Sequence, residues 1–121
     1  MFDHVVFGVR DYEKSKAFYL KVLEPIGVFV LLENELGIEL SSDGKSSLCI
    51  RRSPEINPAH LHLAFVAENR EQVNNFHRIA LEIGAQDNGS PGLRPEYSGQ
   101  YYAAFVLDPD GNNIELVYHE E

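Results

Sequence analysis

Two histidines and one glutamate in this chain could do ligand chemistry. His4 opens the apolar run His4–Val9, and His62 lies in the apolar run Leu61–Ala67, 58 positions further on; Glu115 interrupts a third, Ile114–Tyr118. Two neutral imidazoles and a carboxylate leave positions of a divalent ion vacant, as catalytic sites do, and they suit zinc, iron(II), manganese(II), nickel or cobalt. Each residue taken singly also has a plain structural reading: a strand-start histidine, a core histidine and an edge carboxylate in water. Side chains alternate along a strand, so His4 shares a face with Val6 and Gly8, His62 with Ala64 and Val66, and Glu115 with Val117. An unpaired carboxylate buried in such a strand is costly, and a bound ion would remove that cost.

The segment Gly89–Tyr102 is rich in turn formers and aromatics and reads as a loop over a cavity, just before the strand that leads to Glu115. Within it Arg94 could clamp a substrate carboxylate or phosphate, or form a surface salt bridge. Tyr97 and Tyr102 could donate to an oxygen of the substrate, or serve packing. Glu115 and Tyr102 are the candidate catalytic groups, and Arg94 and Tyr97 the candidate substrate contacts. His60, two residues before His62, is either a supporting partner or an alternative ligand. His77 and His119 carry no assigned chemistry, and Cys49, the only cysteine, reads as an inert thiol in a half-buried strand.

The elements that must hold these residues repeat. Shifting the sequence by 58 positions lays His4-Val5-Val6-Phe7 over His62-Leu63-Ala64-Phe65, then Glu13 over Glu71, Phe18 over Phe76 and Leu23 over Leu81. Each copy starts with a strand and continues into a helix. Asp11 caps the first helix, which buries Ser15, Phe18 and Val22 beside Tyr19 and Leu23 and stops at Pro25 and Gly27. Asn69 caps the second, with Gln72 in the capping-box position and Val73, Phe76, Ala80 and Ile83 at helical spacing before Gly84. Strand candidates follow at Val28–Leu32, Gly37–Leu40 and Ser47–Arg51. In the second copy they are a weak one near Ala85, then Tyr101–Leu107 and Asn113–Tyr118. The order is β-α-β-β-β twice, with Ser53–Pro58 as the seam.

At 121 residues and 44% hydrophobic content, the chain suits one compact domain, 1–121, with module 1 over about 1–54 and module 2 over about 59–121. A formal charge of −9 opposes nucleic acid or an anionic membrane as partner. The longest strongly apolar stretch, Ile26–Leu32, is far short of the roughly 18 residues of a membrane span, and the N-terminus lacks a basic region before an apolar one. A soluble cytoplasmic protein is expected.

Two βαβββ copies, a strand-initial histidine in each, and Asp108-Pro109-Asp110-Gly111-Asn112-Asn113-Ile114-Glu115 together resemble the glyoxalase/bleomycin-resistance/dioxygenase group, the vicinal-oxygen-chelate (VOC) superfamily, over essentially the whole chain. The resemblance implies an α+β fold in which two βαβββ modules form curved mixed sheets around a cavity. It also implies one divalent ion held by His4, His62 and Glu115, a small-molecule substrate and a homodimer, the paired halves coming from one chain or from two. Glyoxalase I in this group carries a further carboxylate in the last strand of its first module; here the repeat lays Leu48 opposite Glu115, with Cys49 beside it, and neither is acidic. The leading expectation is a metal-dependent, glyoxalase-like enzyme, a lyase or isomerase or a thiol transferase, whose substrate chelates the ion. The alternatives are a bleomycin-resistance-like binding module without catalysis and an extradiol-type dioxygenase.

Overall fold

A computed structural model describes residues 2–53, 55 and 60–120. In chain order the elements are β1 (His4–Gly8), α1 (Tyr12–Val22), a 3-10 turn (Glu24–Ile26), β2 (Phe29–Asn34), β3 (Gly37–Ser41), β4 (Ser47–Arg51), β5 (His62–Val66), α2 (Arg70–Glu82), β6 (Gln86–Leu93), β7 (Tyr101–Leu107) and β8 (Asn113–His119). They form two four-stranded mixed sheets of matching order, β1-β4-β3-β2 and β5-β8-β7-β6, with the first and last strands of each module paired in parallel. This is the doubled βαβββ fold read from the repeat. Most of the expected seam, 53–58, lies outside the described residues.

The helices start where their caps predict. The Asp11 carboxylate accepts from the Lys14 amide at 3.1 Å and the Asn69 side chain from that of Gln72 at 2.8 Å. Gln72 reaches back to the amide of Glu68 at 2.7 Å, one residue outside the usual capping box. The predicted stripes Ser15, Phe18, Val22 and Val73, Phe76, Ala80 are buried, and Phe18 and Phe7 both meet Tyr19 edge-on. Ile83, placed on the second stripe, is exposed because the helix ends one residue before it.

One core is shared. It gathers Phe7, Ile38, Leu40, Leu48 and Ile50 from the first sheet, both helices, and Ala104, Val106, Ile114 and Leu116 from the second. Both sheets therefore turn their helix-covered faces to the same interior and their other faces, carrying His4 and His62, away from it.

The tie between the modules is polar and buried. Tyr19 on α1 donates its phenol to Asp108 in the Asp-Pro-Asp-Gly turn at 2.5 Å. The same carboxylate accepts from the amides of Asp110 and Asn112 and from the Asn112 side chain, at 2.8–2.9 Å. Asn112 in turn accepts from the Leu61 amide at 2.8 Å, which fixes the entry to β5. Burial and the neighbouring Asp108 hold the Tyr19 phenol well above its ordinary pKa, so it remains a donor.

The segment expected as a loop from Gly89 to Tyr102 is strand at both ends, 89–93 and 101–102, and loop between. β6 runs through Ser90, Pro91 and Gly92 to Leu93, with register breaks between Asp87 and Gly89 and between Gly89 and Gly92. An edge strand needs no amide at every position, so Pro91 is tolerated there and the glycines absorb the bulges. The loop proper is 94–100. At the other edge, β2 lies exposed along its whole length.

Tyr19→Phe removes the bond that joins α1 to the Asp108 turn. It should lower the unfolding free energy by about 1.5–3 kcal/mol, the worth of a hydrogen bond to a charged group, read from urea unfolding. An unchanged urea midpoint would mean that the Tyr19–Asp108 bond adds nothing to the tie between the modules.

Candidate functional site

The second module builds a polar cluster on its outer face. Leu63 and Phe65 pack toward the core, which turns His62, Ala64 and Val66 outward, and the parallel ladder sets His62 beside Asn113 and Ala64 beside Glu115. His62 Nε2 lies 2.9 Å from Glu115 Oε1. Glu115 is only 2% exposed, whereas the His62 side chain is 54% exposed. The second carboxylate oxygen, Oε2, accepts from the phenol of Tyr101.

Aromatic rings wall this cluster. Phe105, paired with Glu115 across the β7–β8 ladder, sets its ring 6.2 Å from the His62 ring. Tyr101 packs with Ala103, Phe105 and Val117, and meets Tyr97 and His119 edge-on at 4.9 and 5.2 Å. Burial first, and then the hydrogen bond to Glu115, push the Tyr101 phenol well above its ordinary pKa.

Arg94 lies over the same face. Its guanidinium stands 5.3 Å from the centre of the Phe105 ring and donates to the carbonyls of Gly92 and Ser90 at 2.9 and 2.7 Å. A side chain on Gly89 or Gly92 would come within 3.3 Å or less of that guanidinium, so the two glycines leave the space it folds into.

His4 stands apart from this cluster. It sits at the exposed start of β1, its side chain 55% exposed and its Nδ1 2.7 Å from Asp3 Oδ1. His4 and His62 line one cleft of about 640 Å³ between the modules, with Ser47 and Ala64 among its walls. Among the described residues, no three His, Cys, Asp or Glu side chains gather closely enough to hold one ion. The sequence leaves open whether His4, His62 and Glu115 meet within one chain or across two; within one chain the described residues bring His62 and Glu115 together and do not add His4 to them. The shared core fixes each sheet by its helix face, so the two histidines stand on the edge strands of different sheets, on the walls of this cleft.

Three further expectations change. Tyr102 points to the helix side of β7, where its hydroxyl donates to Asn74 at 2.6 Å and Arg70 covers its ring; Tyr101, of opposite parity, is the tyrosine on the Glu115 face. The ladder pairs Val6 with Cys49 as it pairs Ala64 with Glu115, so Cys49, and not Leu48, holds the place of Glu115 in the first module. His60 lies outside β5, with its ring against Gly111, so the strand alternation that would align it with His62 does not extend to it.

Sequence reasoning missed Tyr101 and Glu39. Glu39 is paired with Cys49 across β3–β4, and its carboxylate accepts from Ser47 Oγ at 2.8 Å and lies 3.6 Å from Cys49 Sγ. Burial raises the pKa of that thiol. A carboxylate therefore does face the outer side of the first module, one strand over from the position where the repeat placed none. His77 is a packing histidine, bonded to Asp87 at 2.9 Å.

The profile of the Glyoxalase/Bleomycin resistance protein/Dioxygenase superfamily matches residues 1–116. The chain belongs to that superfamily. The lactoylglutathione lyase of Salmonella typhimurium is 30% identical over 128 aligned positions, covering 94% of this chain and 89% of that protein. A glyoxalase/bleomycin resistance protein from Albidiferax ferrireducens T118 is 31% identical with a TM-score of 0.85, covering 98% of this chain and 99% of the other. A lactoylglutathione lyase from Agrobacterium tumefaciens shares the fold at a TM-score of 0.72 and 16% identity, covering 98% and 92%. None of the described helices in this VOC chain is long and apolar enough to cross a membrane.

The geometry makes Tyr102 a structural residue. Tyr102→Phe is expected to cost about 1 kcal/mol of stability through the lost bond to Asn74, with uptake of divalent ions unchanged. Impaired ion or ligand binding at unchanged stability would return Tyr102 to the site.

Proposed function

We propose that the protein is a metal-dependent, glyoxalase-like enzyme that acts on a small oxygen-bearing substrate chelated to a divalent ion. The observation that carries this reading is the near-complete burial of the Glu115 carboxylate against His62. A buried charge calls for strong compensation, and here a part-exposed imidazole and one phenol supply it. The 2.9 Å between His62 Nε2 and Glu115 Oε1 is a distance that two ligands of one ion, each at about 2.0–2.2 Å, can span. The donor set therefore fits zinc, iron(II), manganese(II), nickel or cobalt.

His4 is the third donor in this reading, and a second copy of the chain supplies it. Support comes from the surface left open: Phe29, Val30, Leu31 and Leu32 on edge strand β2, with Leu36 beside them, form an exposed apolar strip that none of the described residues covers. A homodimer would cover that strip while setting the outward face of one first module against that of another second module, Glu39 and Cys49 included.

Once bound, the ion would act as a Lewis acid toward a substrate oxygen. The protein's own groups do the rest. Arg94 has N–H groups beyond those held by Gly92 and Ser90, and these read negative charge on the substrate. Tyr97, on the 94–100 loop and largely exposed, provides an aromatic wall next to Tyr101. The reaction is of the lyase or isomerase class, or a thiol transfer. With Cys49 in place of the first-module carboxylate, proton movement on the substrate would fall to Glu39 or to Glu115.

A second reading has one observation in its favour. Both Glu115 oxygens already have protein donors, so a metal-free module that binds a small ligand without chemistry would leave no orphaned group. Elemental analysis of untagged protein separates the two readings: about one ion per chain supports the enzyme, and none supports the binding module.

Three outcomes follow from the enzyme reading. Glu115→Gln should lose bound metal while keeping the fold, measured by elemental analysis beside circular dichroism; full metal content would identify a different ligand set. Co-refolded His4→Ala and His62→Ala chains should regain uptake, because a mixed dimer contains one site with both histidines intact, whereas sites closed within single chains would recover nothing. Arg94→Ala should weaken binding of anionic ligands by about 1.5–3 kcal/mol at constant metal content, and calorimetry showing equal affinity would assign Arg94 to loop structure alone.

A further inference from the structure

The Glu115 carboxylate is held from two sides. Oε1 faces His62, and Oε2 takes the hydroxyl of Tyr101. A carboxylate with both oxygens free can grip an ion through one or both and can rotate about its terminal bond. With one oxygen tied to a fixed donor, it turns the other one forward.

The donor is well fixed. Tyr101 enters β7 opposite His119, yet its hydroxyl reaches back to Glu115, because Ala103, the intervening residue on that face, has no bulk to block the ring. Val117 and Phe105 pack with Ala103 in the same apolar patch. Tyr97 and His119 meet the ring edge-on, at interplanar angles of 73° and 89°. The phenol is thus held by the β7–β8 pair, the end of β8 and the 94–100 loop together.

We propose that Tyr101 is a positioning residue that holds Glu115 Oε2, so that Oε1 alone is turned toward His62 and toward an ion. The proposal rests on the metal-site reading above and adds to it that Glu115 ligates through a single oxygen. It also ties the carboxylate to the 94–100 loop, since Tyr97 packs on the residue that orients it.

Tyr101→Phe retains the ring and removes only the hydroxyl. The probe is Co(II), added to metal-free wild type, to Tyr101→Phe and to a Tyr102→Phe control on the helix side of β7, with affinity from chelator competition and the ligand environment from the visible spectrum. Loss of an outer hydrogen bond to a ligand should weaken Co(II) binding by roughly 10–100-fold in Tyr101→Phe. Its visible band should change shape as the released oxygen becomes free to join the ion, while Tyr102→Phe keeps wild-type affinity and spectrum. Unchanged affinity and spectrum in Tyr101→Phe, with normal uptake by wild type, would overturn the role of Tyr101 alone. A lowered melting temperature with an unchanged spectrum would do the same, by reducing the contact to packing. Wild-type protein that takes up no Co(II) would overturn the metal reading and this inference with it.

Discussion

The buried carboxylate of Asp108 organises the molecule. It collects the phenol of Tyr19 from the first module and two amides and a side-chain amide from its own turn, and through Asn112 it governs where β5 begins. A carboxylate removed from water needs several donors at once; its own turn supplies three, and the first module supplies the fourth through Tyr19. The same turn sets the parallel register of β5 on β8, and that register brings His62 against Glu115. A connection that looks like a surface turn in the sequence therefore determines the site's geometry.

Glu115 and Cys49 occupy matching places in the two halves, yet their surroundings have diverged. In the second half the carboxylate stands on the last strand, with an imidazole and a phenol as partners. In the first a thiol takes that place, and the carboxylate, Glu39, has moved to the neighbouring strand with a serine hydroxyl as its donor. Exchanging acid and neutral groups between adjacent strands keeps the polarity of a face while changing which backbone holds the charge. Internal duplication fixes the scaffold more strictly than the chemistry placed on it.

Much of this was legible in the chain. The shift that superimposes His4 on His62 gives the repeat, the caps at Asp11 and Asn69 place both helices, and the isolated charge of Glu115 in an apolar strand marks it as a group in need of a partner. What stayed illegible depends on register or on tertiary context. β7 is apolar on both faces, so its alternation cannot tell that Tyr101, and not Tyr102, shares the side of Glu115. β6 carries proline and glycine, which argue against a strand unless its position at a sheet edge is known. Glu39 sits in ordinary alternation with Ile38 and Leu40, and its closeness to Cys49 emerges only from the β3–β4 pairing. That His4 shares a cleft with His62 without joining the His62–Glu115 pair follows from how the common core sets the two sheets, a contact pattern that no local spacing encodes.

The open edge at β2 sits uneasily with the charge of the whole chain. Four consecutive apolar residues, Phe29 to Leu32, offer unpaired backbone to any approaching strand, and a net charge of −9 pushes other copies away at long range. Repulsion of that kind reaches only about 10 Å at 0.1 M salt and shrinks as salt rises, whereas strand-to-strand pairing acts at contact and is indifferent to it. The surroundings thus decide which force prevails: in dilute salt the acidic surface works as a colloidal stabiliser, and in concentrated salt the same chain carries a sticky seam with little to shield it.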